Sequence, residues 1–254
     1  MKLAISNLAW DFPQNDEIFE ELRKCGIRYV EGVLSKLGDW DSITTDDLVK
    51  LKSKLEEYNL EMRSIQSIFY NQESLGLHDF DGNVDHIKRL IDFSQILGVK
   101  VMVLGSPNLR VVEDDLKNKL SDTFKKIDRL LDSTGIELLI EPNTKNYGGH
   151  YFHNLPEIVD FITSNNLNNI KTMIDTHNLI LEGYNPNSEF IKFKEFIKHI
   201  HISEPGLLPL QNLEFYSQFG DLIKNMNYTD IVTYELKPTE NFFETISIFK
   251  KIYS

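Results

Sequence analysis

The 254-residue sequence has a single cysteine, Cys25. No internal disulfide can form, and a reducing, cytoplasmic compartment fits best. Cys25 itself reads as a small apolar residue closing a helix before Gly26. No apolar run approaches the ~20 residues that span a bilayer. Only Lys2 precedes the short stretch Leu3-Ala4-Ile5, too little for a secretory leader, so no membrane association is expected. Positive charge is also scarce: 27 Lys and Arg against 39 Asp and Glu leave a formal charge of −12. Phosphate backbones are held by clustered cations. With no dense Lys/Arg run, a nucleic-acid partner is not expected. What remains, 41% hydrophobic and 26% charged residues, is enough for a sizeable core.

Taken in order, short β-prone runs alternate with helical patterns. Lys2–Leu8 reads as a strand, and Asp16–Cys25 puts Ile18, Phe19, Leu22 and Cys25 on one helical face. Ile27–Leu34 is a second strand. A helix over residues 45–58 follows, with Thr44 or Thr45 as its cap. Leu60–Phe69 is the third strand, and Tyr70–Gly82 reads as a polar excursion at its exit. Asn83–Leu97 is helical, Val99–Leu104 is a fully apolar strand, and Val112–Leu131 is helical again. Ile136–Glu141, Ile170–Asp175, Ile197–Ser203 and Ile231–Leu236 are the later strands. Helices lie at Leu155–Ile162, at Glu189–Phe196 (weak), at Leu213–Met226 (poor) and at Asn241–Tyr253. Eight strand–helix units therefore begin near residues 3, 27, 60, 99, 136, 170, 197 and 231.

Strict alternation implies parallel strands with right-handed crossovers. Eight units in this length predict an α/β fold, a single (β/α)8 TIM barrel over residues 1–254. A doubly wound open sheet is the competing architecture, but no Gly-x-Gly-x-x-Gly follows the first strand.

In such a barrel the C-terminal strand ends form the active face. Four consecutive strands end on metal-capable side chains: Glu141-Pro142-Asn143, Asp175-Thr176, His199-Ile200-His201-Ile202-Ser203 and Thr233-Tyr234-Glu235. Period-two alternation turns Glu141, Asp175, His201 and Glu235 toward the mouth and their apolar neighbours toward the helices. Three carboxylates there would repel unless a cation neutralised them. One imidazole among three carboxylates suits one divalent metal ion, Mn2+ or Mg2+ first, with Co2+, Zn2+ or Fe2+ as alternatives.

On these residues the chain resembles the xylose isomerase-like TIM barrels, the superfamily of sugar isomerases and epimerases, inosose dehydratases and endonuclease IV. The resemblance covers essentially the whole chain in strand order. It implies Glu141, Asp175, His201 and Glu235 as metal ligands, with Glu141 and Glu235 as catalytic, proton-moving groups on opposite faces of a bound sugar. The expected function is a divalent-metal-dependent sugar isomerase or epimerase. A metal bridging a carbonyl and the adjacent hydroxyl would acidify the C–H between them and stabilise the enediolate. The alternatives are a dehydratase of the inosose or dehydroshikimate type on the same site, or a non-catalytic sugar-binding barrel. Endonuclease chemistry needs extra His ligands on early strands that are absent here. Two departures bear on the substrate. Asn178 stands where relatives place a substrate-contacting His, with His177 one residue early, and Glu204-Pro205 replaces an Arg-bearing segment.

Further candidates for substrate contact are His177, Asn178, Asn143, Gln66 and Trp10. Lys237 could reach the mouth or pair on the rim. Asn7 and Glu31, at the ends of early strands, could meet sugar hydroxyls, and Phe69 could stack or lid. Tyr147-Gly148-Gly149 with His150 and His153 makes a loop able to close over a ligand, or carries plain surface histidines. His199 reads as a buried core histidine. The expected partner is a small carbohydrate, and a homo-oligomer is compatible with the sequence.

Overall fold

In the computed structural model each strand pairs in parallel with its sequence neighbours, and Lys2–Ser6 (β1) also pairs with Ile231–Tyr234 (β8), closing the sheet. Between them run Tyr29–Gly32 (β2), Glu61–Ile65 (β3), Val101–Leu104 (β4), Glu137–Ile140 (β5), Ile170–Asp175 (β6) and Ile197–Ile202 (β7). The structure describes residues 1–11, 14–72 and 76–254. Part of the excursion expected at Tyr70–Gly82 therefore lies outside the described residues. The result is the expected (β/α)8 barrel.

Side-chain parity divides the interior in two. Ala4, Val101, Val103, Leu139, Met173 and Ile231 pack together inside the barrel. Leu138, Ile140, Ile174, Ile200, Ile202, Val232 and Tyr234 join the larger core between strands and helices. Two register shifts interrupt the ladders, one beside Val30/Glu31 and one between Thr172 and Ile174 opposite β7. Such irregularities re-aim nearby side chains. These lie beside Glu31 and just before Asp175 and His201.

The surrounding helices are Asn15–Lys24 (α1), Thr45–Glu57 (α2), Phe80–Leu97 (α3), Leu116–Leu131 (α4), Leu155–Ser164 (α5), Thr176–Leu181 (α6), Pro186–Phe193 (α7), Leu213–Asn225 (α8) and Phe242–Tyr253 (α9). Thr44 caps α2 in a reciprocal box with Asp47, because each supplies the acceptor for the other's free backbone N–H. Gly98 closes α3 at φ +80°, a conformation open to glycine at little cost.

Several boundaries differ from the sequence reading. β1, β2 and β3 stop at Ser6, Gly32 and Ile65, and 3-10 turns at Asn7–Ala9 and Leu34–Lys36 replace the expected ends of the first two. α6 was not expected, and α8, read as poor, is continuous from Leu213 to Asn225. Among the described residues, no helix is long and apolar enough to cross a membrane.

Candidate active site

β6 ends on Asp175, and α6 begins at the next residue. The carboxylate is therefore also the helix cap: Oδ1 accepts the Asn178 N–H at 2.9 Å and the Ser203 hydroxyl at 2.9 Å. This fixes the side chain and leaves Oδ2 toward the barrel axis, 3.8 Å from Nδ1 of His201. Glu141, from the end of β5, brings Oε1 to 3.6 Å of the same nitrogen, and Glu235, beyond β8, brings Oε2 to 3.4 Å. All four side chains are buried or nearly so. Candidate ligand atoms of Glu141, Asp175 and His201 lie within 4.8 Å of one another.

The opposite edge of the imidazole is held from below. Nε2 of His201 lies 2.9 Å from Oε1 of Glu31, whose Oε2 lies 2.8 Å from Nε2 of His199. Gln66 Nε2 donates to Oε1 of Glu31 at 3.0 Å and to Ser6 Oγ at 2.8 Å. Glu31 is fully buried. Burial alone would raise its pKa, but the two imidazoles more than offset this and hold it well below the carboxylate range.

Above the ring, three carboxylates crowd one imidazole. Burial, with the charges of Asp175 and Glu235, pushes Glu141 up to about 7 against the pull of His201. For Asp175, burial is outweighed by His201 and by the Asn178 N–H, so its pKa is lowered. Burial also opposes a charge on His201, yet Glu31, Glu235 and the other carboxylates raise its pKa well above the ordinary value. Both ring nitrogens of His201 are buried without a well-aligned hydrogen bond, Nε2 facing Glu31 and Nδ1 facing the strand-end carboxylates. A buried imidazole nitrogen facing three carboxylates without hydrogen bonds is a donor set that fits a divalent ion. Glu31 stands where a carboxylate orienting such a ligand would stand.

Around this cluster lies a cavity of about 260 Å³, bounded by Gln66, Val103, Glu141, Asn143, Tyr147, Asp175, His177, Asn178, Leu207 and Glu235 among others. Gln66, Asn143, His177 and Asn178 are thus brought together with Glu141, Asp175 and Glu235, three of the four strand-end residues. Asn143 Nδ2 donates to Oε2 of Glu141 at 3.2 Å. Trp10 and Lys237 are not among the lining residues. The Trp10 indole, after the 3-10 turn that follows β1, is buried against Phe19 and Phe242 and donates to Asn15 Oδ1 at 2.8 Å. Lys237 is exposed on the rim, its backbone N–H bonded to Leu207 O. Asn7 accepts the Val33 N–H, and Phe69 packs on His86. A larger cavity, about 680 Å³, opens at the other end of the barrel, where Arg23 pairs with Glu20 and Arg28 with Glu61. The strand-end carboxylates line the smaller one.

Two supports had no clear sequence signal. A Cβ on Gly105 would sit 2.5 Å from Oε2 of Glu141, so only glycine leaves that carboxylate its place. Arg110 is completely buried and donates to the carbonyls of Gly105 at 2.5 Å, Glu141 at 2.7 Å and Phe152 at 2.7 Å. It ties the main chain at Glu141 to the loop that follows β5. Burial lowers its pKa to about 10, still high enough to keep the charge.

A family model described as xylose isomerase-like TIM barrel matches residues 19–252. No curated protein matches the sequence. Among solved structures, a 3-keto-D-glucoside 4-epimerase from E. coli superposes with TM-score 0.78 at 16% identity, covering 100% of this chain and 98% of the other. An AP endonuclease, family 2, from Brucella melitensis gives 0.77 at 16% identity, covering 99% of each chain. A D-psicose 3-epimerase gives 0.75 at 15% identity, covering 100% and 96%. At these identities the likeness to each structure is one of fold.

Proposed function

The chain belongs to the xylose isomerase-like TIM barrel family, and from that premise we propose that it is a divalent-metal-dependent isomerase or epimerase of small, uncharged sugars. The observation that carries this reading is the convergence of Glu141, Asp175 and Glu235 on Nδ1 of His201, at 3.4 to 3.8 Å.

Glu141, Asp175, His201 and Glu235 would hold the ion, Mn2+ or Mg2+ by the hardness of the set. When bound, a divalent ion supplies electrophilic polarisation of a sugar carbonyl, which acidifies the neighbouring C–H. Glu141 and Glu235 approach from strands three apart in the barrel, so each can address a different side of a sugar lying between them. One carboxylate takes the proton and the other returns one, to the opposite face or to the adjacent carbon. Asn143 holds Glu141 in place, and Gln66 and Asn178 offer amides to sugar hydroxyls.

The cavity is at the small end for ligand sites, which suits a monosaccharide. No Lys or Arg is among its described lining residues, so a phosphate or carboxylate on the substrate would meet carboxylates without a counter-charge. The same lack, with the net charge of −12, disfavours cleavage of a nucleic-acid backbone.

The test is hydrogen exchange. Free ketohexoses incubated with the Mn2+-loaded protein in deuterated water should exchange a proton next to the carbonyl, and Glu141→Gln and Glu235→Gln should each abolish this. Exchange by neither the wild type nor any metal-loaded form, across ketoses and inososes, would sink the reading.

A further inference from the structure

We propose that Tyr147 reads a hydroxyl group of the substrate, presenting its oxygen to the cavity purely as a hydrogen-bond acceptor; this rests on the sugar-enzyme reading above. Nδ1 of His177 lies 2.9 Å from the Glu204 carbonyl oxygen, and a carbonyl can only accept, so Nδ1 carries the proton. In the neutral imidazole Nε2 is then the lone-pair nitrogen. In that form the Tyr147 hydroxyl, 2.7 Å from Nε2, donates to it. A phenol has one proton. With that proton committed, the Tyr147 oxygen has only lone pairs left for the cavity, whose lining includes Tyr147, His177, Glu141 and Glu235.

Both halves of the relay are held in place. His177 is buried in the first turn of α6, and its backbone N–H donates to Ser203 Oγ at 3.2 Å. Tyr147 is 44% exposed, but its loop is tied at both ends. Glu182 Oε1 accepts from Thr144 Oγ1 at 2.6 Å and from the Lys145 N–H at 2.8 Å. Glu157 accepts the N–H groups of Phe152 and His153 at 2.8 and 3.0 Å. The rings of Tyr147 and His177 lie 6.0 Å apart, centroid to centroid.

The consequence is a rule for the substrate. A hydroxyl opposite Tyr147 completes the relay by donating, whereas an ether or carbonyl oxygen there sets lone pair against lone pair. A site built to pair with a hydroxyl rejects analogues lacking it far better than an apolar wall does. His177 is the positioning residue: it turns an ambivalent phenol into a one-way acceptor.

Two measurements on the full chain test this. Nitrogen-15 NMR of the His177 ring should show Nδ1 protonated and Nε2 unprotonated and hydrogen-bonded, with the Nε2 resonance moving in Tyr147→Phe. A protonated Nε2 in the neutral ring overturns the proposal. In the deuterium-exchange assay with Mn2+, a reactive ketohexose is compared with its monodeoxy and mono-O-methyl derivatives. Wild type should lose roughly 100-fold in kcat/KM for derivatives at one hydroxyl, and Tyr147→Phe should lose most of that discrimination. Equal discrimination in Tyr147→Phe overturns the proposal alone. Absence of exchange with every ketose removes the sugar-enzyme reading and the substrate role with it, even where NMR finds the predicted tautomer.

Discussion

Glu31 Oε1 lies 2.9 Å from Nε2 of His201, on the side of the ring opposite the three strand-end carboxylates. One carboxylate therefore faces the edge of an imidazole whose other edge faces the site. Removing this kind of support lowers metal affinity about 10- to 100-fold. Glu31→Gln, which keeps the volume of a fully buried side chain, should weaken Mn2+ binding by that order in calorimetric titration. Unchanged affinity would show that Glu31 only fills space.

Gly105 makes a second, steric prediction. In Gly105→Ala the new methyl group meets Oε2 of Glu141 at 2.5 Å, and the carboxylate must turn away. Metal affinity should fall roughly tenfold, the low end for a disturbed support. The thermal midpoint should stay within a few degrees, since no left-handed backbone is required here. A large loss of stability with intact metal binding would contradict this.

Arg110 predicts the reverse balance. Arg110→Met leaves the carbonyls of Gly105, Glu141 and Phe152 without their donor in a buried place. At ~1–3 kcal/mol for each orphaned group, the loss should reach ~3 kcal/mol or more. For a chain of this size that lowers the thermal midpoint by roughly 10 °C. Denaturant melts of the two proteins measure it, and a loss below ~1 kcal/mol would refute the role.

His86 supplies a pH dependence outside the site. It is buried between Trp40 and Phe69, with Nε2 2.6 Å from the Ile68 carbonyl. Burial lowers its pKa below the ordinary 6.5, so the folded protein holds it neutral while the unfolded chain protonates near 6.5. The unfolded state then binds more protons, and stability falls as pH drops below about 6.5. The wild type should lose more stability between pH 7.5 and pH 5.5 than His86→Gln does. Equal losses would assign the acid sensitivity elsewhere.

Much of the barrel was legible because its strands are apolar runs of fixed parity. Leu138 and Ile140 against Leu139, or Val232 and Tyr234 against Ile231, already assign the two faces. Glu141, Asp175, His201 and Glu235 were legible as a group because each ends such a run. The supports were not. Glu31 was read as a substrate contact because nothing local says that it faces two imidazoles from strands β7, five places along the barrel. Arg110 and Gly105 act through backbone carbonyls and a missing side chain, which leave no residue pattern. α6 escaped notice because its six residues are too few for periodicity, and its cap is the strand-end Asp175 itself. Trp10, which chain position alone suggested could stack on a sugar or lid the barrel, packs on Phe19 and Phe242, contacts that no local pattern announces.

The central claim is that Glu141, Asp175, His201 and Glu235 share one divalent ion, and metal stoichiometry tests it most directly. Purified protein stripped with chelator and titrated with Mn2+ should bind one equivalent, and His201→Ala or Asp175→Asn should each reduce affinity at least 100-fold while the far-UV spectrum stays that of the wild type. Absence of binding by the stripped wild type, or undiminished one-to-one binding by both variants, would contradict the account.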